Sequence, residues 1–254
     1  MHPIIFEFYG FSIKSYGLFV AIGFLAGISF TLREARRQGS DPQLILDLAF
    51  YIILAAIVGS RLFYVITNLD AYRGNLLDIF KVWQGGLTFF GGFLLSFVAG
   101  VWYMKKHRMP VWKTFDLFAP SLALGEFFGR IGCFFAGCCY GKECAYPWAV
   151  TFTNPQSLGR IGVPLHPTQL YASAAALVTF LILCAVRNKK TFDGELALLW
   201  IIIYSFLRLI VESFRGDPRG YLIFGQYPVS QVLAVLLIAA SLIMWSVLKK
   251  KTTS

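Results

Sequence analysis

Seven long apolar runs constrain this chain more than any other feature of its sequence. They cover residues 17–32, 46–66, 86–104, 114–137, 168–186, 194–213 and 228–248, to within a few residues at each end. A helix needs about 20 such residues to cross the hydrocarbon layer of a bilayer. Only 14% of the 254 residues are charged and 57% are hydrophobic, against about a quarter charged in an ordinary soluble domain. One soluble core of this size has no room for so much apolar surface. The first run is expected to be a retained span and not a cleaved signal. A hydrophilic stretch precedes it, with no basic leader and no small-residue cleavage site.

Basic residues set the orientation, because short cytoplasmic loops carry excess Lys and Arg. Arg33, Arg36 and Arg37 follow the first run; Lys105, Lys106, Arg108 and Lys113 follow the third. Arg187, Lys189 and Lys190 follow the fifth, and Lys249, Lys250 and Lys251 the seventh. These segments hold 13 of the 23 basic residues. The alternate segments hold 7, namely Lys14, Arg73, Lys81, Lys142, Arg160, Arg215 and Arg219. The expected fold is therefore an all-α, polytopic membrane protein with seven transmembrane helices, N-terminus out and C-terminus in. No linker, low-complexity segment or internal repeat divides residues 1–254, so one domain is expected. The net charge of +10 fits this topology and attraction to anionic lipid heads. With no basic–aromatic patch away from these loops, nucleic acid is not an expected partner.

Polar residues where lipid should exclude them carry the functional information, since a charge inside a span is costly to keep without a use. Arg61 lies in the second run. Glu126 and Arg130 lie four residues apart in the fourth and share a helical face, which Cys133 and Gly137 continue. In the sixth, Tyr204, Arg208, Glu212 and Arg215 form a stripe at i, i+4, i+8 and i+11. Inward-facing guanidinium groups ask for an anionic guest, because they bind phosphate through paired N–H donors. The competing reading is that Glu126–Arg130 and Arg208–Glu212 are ion pairs that only join helices. Buried pairs are poor stabilisers, which favours the anion site.

Residues 129–138 read Gly-Arg-Ile-Gly-Cys-Phe-Phe-Ala-Gly-Cys. This run resembles the Gly-Arg-x-Gly-Asn-Phe-x-Asn-Gly-Glu signature of the prolipoprotein diacylglyceryl transferase family. Other pieces resemble the same family in order along nearly the whole chain. Tyr16-Gly17 opens the first span, and Gly59 to Tyr64 is similar to a Gly-Gly-Arg-x-x-Tyr run. Residues 85–92, Gly-Gly-Leu-Thr-Phe-Phe-Gly-Gly, are similar to Gly-Gly-Met-Ser-Phe-His-Gly-Gly. Asp116 and Pro120 match an Asp-x-x-x-Pro, and His166 to Tyr171 match His-Pro-Ser-Gln-Leu-Tyr. Arg208, Glu212 and Arg215 match an Arg-x-x-x-Glu-x-x-Arg.

The resemblance implies transfer of the diacylglyceryl group of phosphatidylglycerol, or a related anionic phospholipid, to the thiol of a lipoprotein precursor or similar acceptor. The place implied is the outer face of a bacterial inner membrane, with no cofactor. Arg130 and Arg208 are then expected to stabilise the departing phosphate, while Tyr16 and Tyr204 orient head-group oxygens. Glu212 is expected to position Arg208. Arg61, Tyr64, Arg215 and Cys133 complete the expected substrate-binding set, and Asp116 is expected to be structural. The chain departs from the family at polar positions. The loop histidine is Phe90, the signature asparagines are Cys133 and Ala136, its glutamate is Cys138, and a glutamate after the His-Pro motif is Ala172.

His166 is a candidate substitute base, or a turn residue beside Pro167. Cys133, Cys138, Cys139 and Cys144 form a Cys-x4-Cys-Cys-x4-Cys pattern that fits no common zinc or iron–sulfur spacing, so no metal site is expected. Disulfides bracing the outer end of the fourth span are the favoured reading; a reactive thiol at Cys138 or Cys139 is the alternative. Two functions are thus in play. One is a phospholipid-dependent transferase. The other is a non-catalytic relative that binds anionic lipid or assists envelope assembly with the arginine cleft kept.

Overall fold

Asp41 and Pro42 show how this chain starts a helix. In the computed structural model, which describes residues 2–8, 11–72, 76–81, 85–217, 222–223 and 227–253, the Asp41 carboxylate accepts the Gln43 N–H at 2.8 Å, and Pro42 is the first helical residue. The carboxylate satisfies an otherwise orphaned amide, and proline loses nothing there by lacking its own. Arg73 and Arg219, counted in the charge pattern above, lie outside the described residues.

Among the described residues there are seven α-helices: α1 Ser15–Arg37, α2 Pro42–Thr67, α3 Phe89–Lys106, α4 Val111–Ala136, α5 Thr168–Val186, α6 Glu195–Ser213 and α7 Val229–Thr253. Each overlies one apolar run. Six of them, all but α3, are long and apolar enough to cross a membrane. Helix α3 has 18 residues and ends on Lys105 and Lys106, so its length includes two charges. Large apolar side chains such as Phe50, Phe97 and Ile243 lie more than half exposed on these helices, which suits lipid and not water. The chain is a multi-pass membrane protein.

The expected all-helical architecture stands, with three short antiparallel strand pairs between the helices. Ile4–Phe8 (β1) pairs with Phe11–Lys14 (β2), Val150–Thr151 (β3) with Pro164–Leu165 (β4), and Leu222–Ile223 (β5) with Tyr227–Pro228 (β6). Strands β3 to β6, two residues each, are too short to show the alternation that marks a strand in sequence.

The helices group into two compact units, Met1–Thr31 with Phe115–Ser254, and Leu32–Thr114. In the second unit α2 and α3 approach backbone to backbone. A Cβ on Gly59 would come within 2.5 Å of the Gly91 carbonyl oxygen, so only glycine fits this crossing. In the first unit Asp116 on α4 is fully buried. Its carboxylate accepts the N–H groups of Gly194 at 2.9 Å and Ala197 at 3.0 Å, and Lys190 Nζ at 2.9 Å. One side chain thereby caps α6 and ties it to α4, the structural role expected of it. Replacing Asp116 with Ala strands a partly buried cation and two amides. The expected loss is about 3–5 kcal/mol of stability, read as a lower detergent-solubilised melting temperature with unchanged turnover per folded molecule.

Candidate active site

Helix α4 sets Glu126 one turn from Arg130, and Arg130 donates through Nε and Nη2 to Glu126 Oε1 at 3.2 and 3.1 Å. Helix α6 does the same with Arg208 Nη2 and Glu212 Oε2 at 2.8 Å. The two pairs are neighbours, for Glu126 senses both guanidinium charges and the Tyr204 hydroxyl lies in hydrogen-bonding reach of Arg130. Ion pairing is therefore present, as the competing reading required, but it is incomplete. Arg208 Nη1 is buried with no acceptor among the described residues, and so is Trp200 Nε1. Trp200 stacks on Tyr204 with ring centroids 5.7 Å apart.

Arg208, Tyr204, Trp200 and Glu126 line one narrow cleft between α4, α5 and α6. A buried donor left unpaired costs about 1–3 kcal/mol. Two such donors in one cleft are open to acceptors from a bound group or water. Paired to Glu212 through Nη2 and open at Nη1, the Arg208 guanidinium is suited to an anionic group.

Tyr16 stands at the start of α1, about half exposed. A Cβ on Gly132 would sit 3.3 Å from its backbone, and Arg130, Cys133 and Cys138 all act on its hydroxyl electrostatically. The structure thus unites Tyr16, Arg130, Cys133, Tyr204, Arg208 and Glu212.

The cysteines take an unexpected form. Disulfides were the favoured reading; Cys133, Cys138, Cys139 and Cys144 are placed here without an S–S bond. The sulfurs of Cys133, Cys138 and Cys139 lie within 4.8 Å of one another, while Cys144 is buried and outside this group. Chain geometry explains the convergence. After α4 ends at Ala136, Gly137 has φ +83° and Cys139 φ +63°, the left-handed region that non-glycine residues seldom enter. This turn brings two adjacent cysteines back toward Cys133. Hydrogen bonds from Cys133 and Cys138, then the nearby Arg215 guanidinium, draw the Cys139 thiol far below the usual thiol range. Cys138, engaged with Cys133 and Cys139, is pushed far above it.

Other expected site residues are placed differently. Arg61, expected to bind substrate, gives its donors to backbone carbonyls: Nε to Ile79 at 2.7 Å, Nη2 to Asp78 at 2.6 Å, and Nη1 to Gly85 and Gly86 at 2.8 and 3.2 Å. The rings of Tyr64 and Tyr72 lie 5.8 and 5.5 Å from its guanidinium carbon. Arg61 is thus built to hold the loop between α2 and α3, and Tyr64 packs on it. Arg215 leaves the helical stripe just after α6 and forms a two-point pair with Asp217 at 2.8 and 2.7 Å. Among the described contacts none joins His166 to Arg130 or Arg208. Its Nδ1 meets the Tyr171 hydroxyl at 3.1 Å, and its ring lies among Tyr146, Tyr171 and Phe214.

Sequence reasoning missed three contributors. Trp200 carried no signal beyond standing four residues before Tyr204. Thr168 and Gln169 belong to a motif already noted, but their work was not legible. They donate to the carbonyls of Cys139 and Cys138, each at 2.8 Å.

These features define a class: a multi-pass membrane protein with a buried arginine, Arg208, lining an inter-helix cleft and a second ion-paired arginine, Arg130, close by. Comparison with known proteins narrows it. Residues 3–247 match the family model described as prolipoprotein diacylglyceryl transferase. A phosphatidylglycerol–prolipoprotein diacylglyceryl transferase from Clostridium tetani is 36% identical over 223 residues, covering 87% of this chain and 88% of its own. Proteins of the same name from Finegoldia magna and Solidesulfovibrio magneticus are 33% and 38% identical. They cover 99% and 91% of this chain, and 97% and 88% of their own lengths. The chain belongs to the prolipoprotein diacylglyceryl transferase family.

Proposed function

We propose that this chain transfers the diacylglyceryl group of phosphatidylglycerol to the cysteine thiol of a lipoprotein precursor, at the outer face of a bacterial inner membrane. The observation that carries the reading is the buried, unpartnered Nη1 of Arg208 in a cleft also lined by Glu126, the ion-pair partner of Arg130. In the reaction the precursor sulfur attacks the glyceryl carbon, a C–S bond forms, and the C–O bond to phosphate breaks. Glycerol phosphate departs with the electron pair. Negative charge grows on the phosphate oxygens, and Arg130 and Arg208 lower the barrier by meeting it with donors already in place. Tyr204 and Tyr16 orient the head group, and Glu212 holds Arg208. The whole chain acts as one transferase domain.

Expression of this chain in cells depleted of their own diacylglyceryl transferase tests the reading. Lipid-modified precursor should return. Its failure to return, with the protein present and membrane-inserted, would count against the assignment.

All seven helices, α3 included, cross the membrane in this account, with the N-terminus out and the C-terminus in. The basic loops support that orientation. Residues 138–167 should then label from outside in cysteine-accessibility mapping, and residues 105–113 only after the membrane is breached. Equal labelling of both loops from one side would overturn the topology.

A further inference from the structure

The three convergent thiols are not used by the phosphate clamp, and they lie one helical turn beyond it. Cys133 follows Arg130 by three residues on α4, so the two side chains share a face. The loop that brings Cys138 and Cys139 back is held firmly. Its carbonyls accept from Gln169 and Thr168, both 1% exposed, and the Ala136 carbonyl accepts the Leu158 N–H at 3.0 Å. A left-handed Cys139 is an unfavourable conformation, kept here by contacts from two other segments. These are the marks of side chains positioned in advance.

Three sulfurs at this spacing suit a thiolate-binding metal. A tetrahedral zinc with Zn–S bonds of about 2.3 Å puts its sulfurs about 3.8 Å apart, a short closure from the separations seen. A disulfide uses two sulfurs and leaves the third over, and the adjacent pair Cys138–Cys139 is poorly placed to form one. Among the described residues no fourth Cys, His, Asp or Glu joins the group. Three protein ligands with an open position is the arrangement of a catalytic zinc site, whereas structural sites fill all four. Charge balance also fits. Three thiolates and one divalent ion leave a single negative charge, and Arg130 and Arg215 both interact with Cys139.

We infer that Cys133, Cys138 and Cys139 bind a zinc ion whose open fourth position takes the thiol of the acceptor cysteine. This rests on the transferase reading and deepens it, because the reaction alkylates sulfur and needs a thiolate. The acceptor S–H loses its proton to water as the Zn–S bond forms, since a coordinated thiol is deprotonated outright. The bound sulfur then attacks the glyceryl carbon. The new C–S bond replaces the C–O bond to phosphate, and glycerol phosphate leaves with that electron pair. The product thioether carries no charge, is a weaker ligand than a thiolate and gives up the metal. The site supplies a deprotonation that needs no base from His166, whose Nδ1 meets the Tyr171 hydroxyl.

Full-length protein purified in detergent without chelator should contain about one zinc per chain. The Cys133→Ser, Cys138→Ser and Cys139→Ser variants should each lose it, while Cys144→Ser keeps it. With cobalt(II) in place of zinc, the sulfur-to-metal absorption should intensify when a precursor peptide bearing the acceptor cysteine is added. A peptide with serine at that position should leave it unchanged. A zinc-free wild-type protein that retains full turnover would overturn the inference and leave the transferase reading standing. So would a cobalt spectrum that ignores the cysteine peptide. Metal content and spectrum are read without turnover, so an inactive but zinc-loaded, thiol-binding protein would refute the transferase reading alone.

Discussion

Replacing Arg208 with Ala is expected to lower diacylglyceryl transfer by a hundredfold or more. Removing one positioned donor from a developing anion costs about 3 kcal/mol of transition-state stabilisation, and each 1.36 kcal/mol is about tenfold in rate. Arg208 has two duties that the Ala variant confounds, since Nη2 also neutralises the buried Glu212. Arg208→Lys separates them. An ammonium can still face Glu212 and preserve the fold, but it cannot span Glu212 and the phosphate with a rigid fork. The Lys variant should therefore melt near wild type and stay at least about tenfold slow. Arg130→Ala should match Arg208→Ala in rate. Full activity in both Ala variants would remove the phosphate clamp from the account.

Arg61→Ala should show the opposite pattern, with stability lost first. Its guanidinium satisfies four carbonyls of the segment between α2 and α3. Losing hydrogen bonds to a charged donor costs about 1.5–3 kcal/mol each where no water replaces it, so a net loss of about 3 kcal/mol is expected. Arg61→Lys should rescue poorly, because one ammonium cannot reach carbonyls on Asp78, Ile79, Gly85 and Gly86 together. Thermal unfolding in detergent reads the effect. A variant of wild-type stability with raised KM for phosphatidylglycerol would instead return Arg61 to the substrate site.

The contrast between these two arginines marks where sequence reading stops. Both were legible as charges inside apolar runs, and the i, i+4 spacing placed Glu126 with Arg130 and Arg208 with Glu212 correctly. A span's length and composition follow from bilayer thickness, which is why α5 coincides with the run at residues 168–186. Nothing local distinguishes Arg208 with an open donor from Arg61 with every nitrogen occupied. That difference depends on carbonyls presented by a distant segment. The cysteines show the same limit. Their linear spacing matches no metal motif, because the convergence depends on one left-handed residue and on anchors from α5.

The most direct test of the central claim uses purified protein, phosphatidylglycerol labelled in its acyl chains, and a precursor peptide bearing the acceptor cysteine. The account predicts a labelled thioether on that cysteine and an equal yield of glycerol phosphate, both absent when the peptide cysteine is serine. Tight binding of phosphatidylglycerol with no thioether and no glycerol phosphate, from protein that is folded, would contradict it and identify a lipid-binding relative that has lost the reaction.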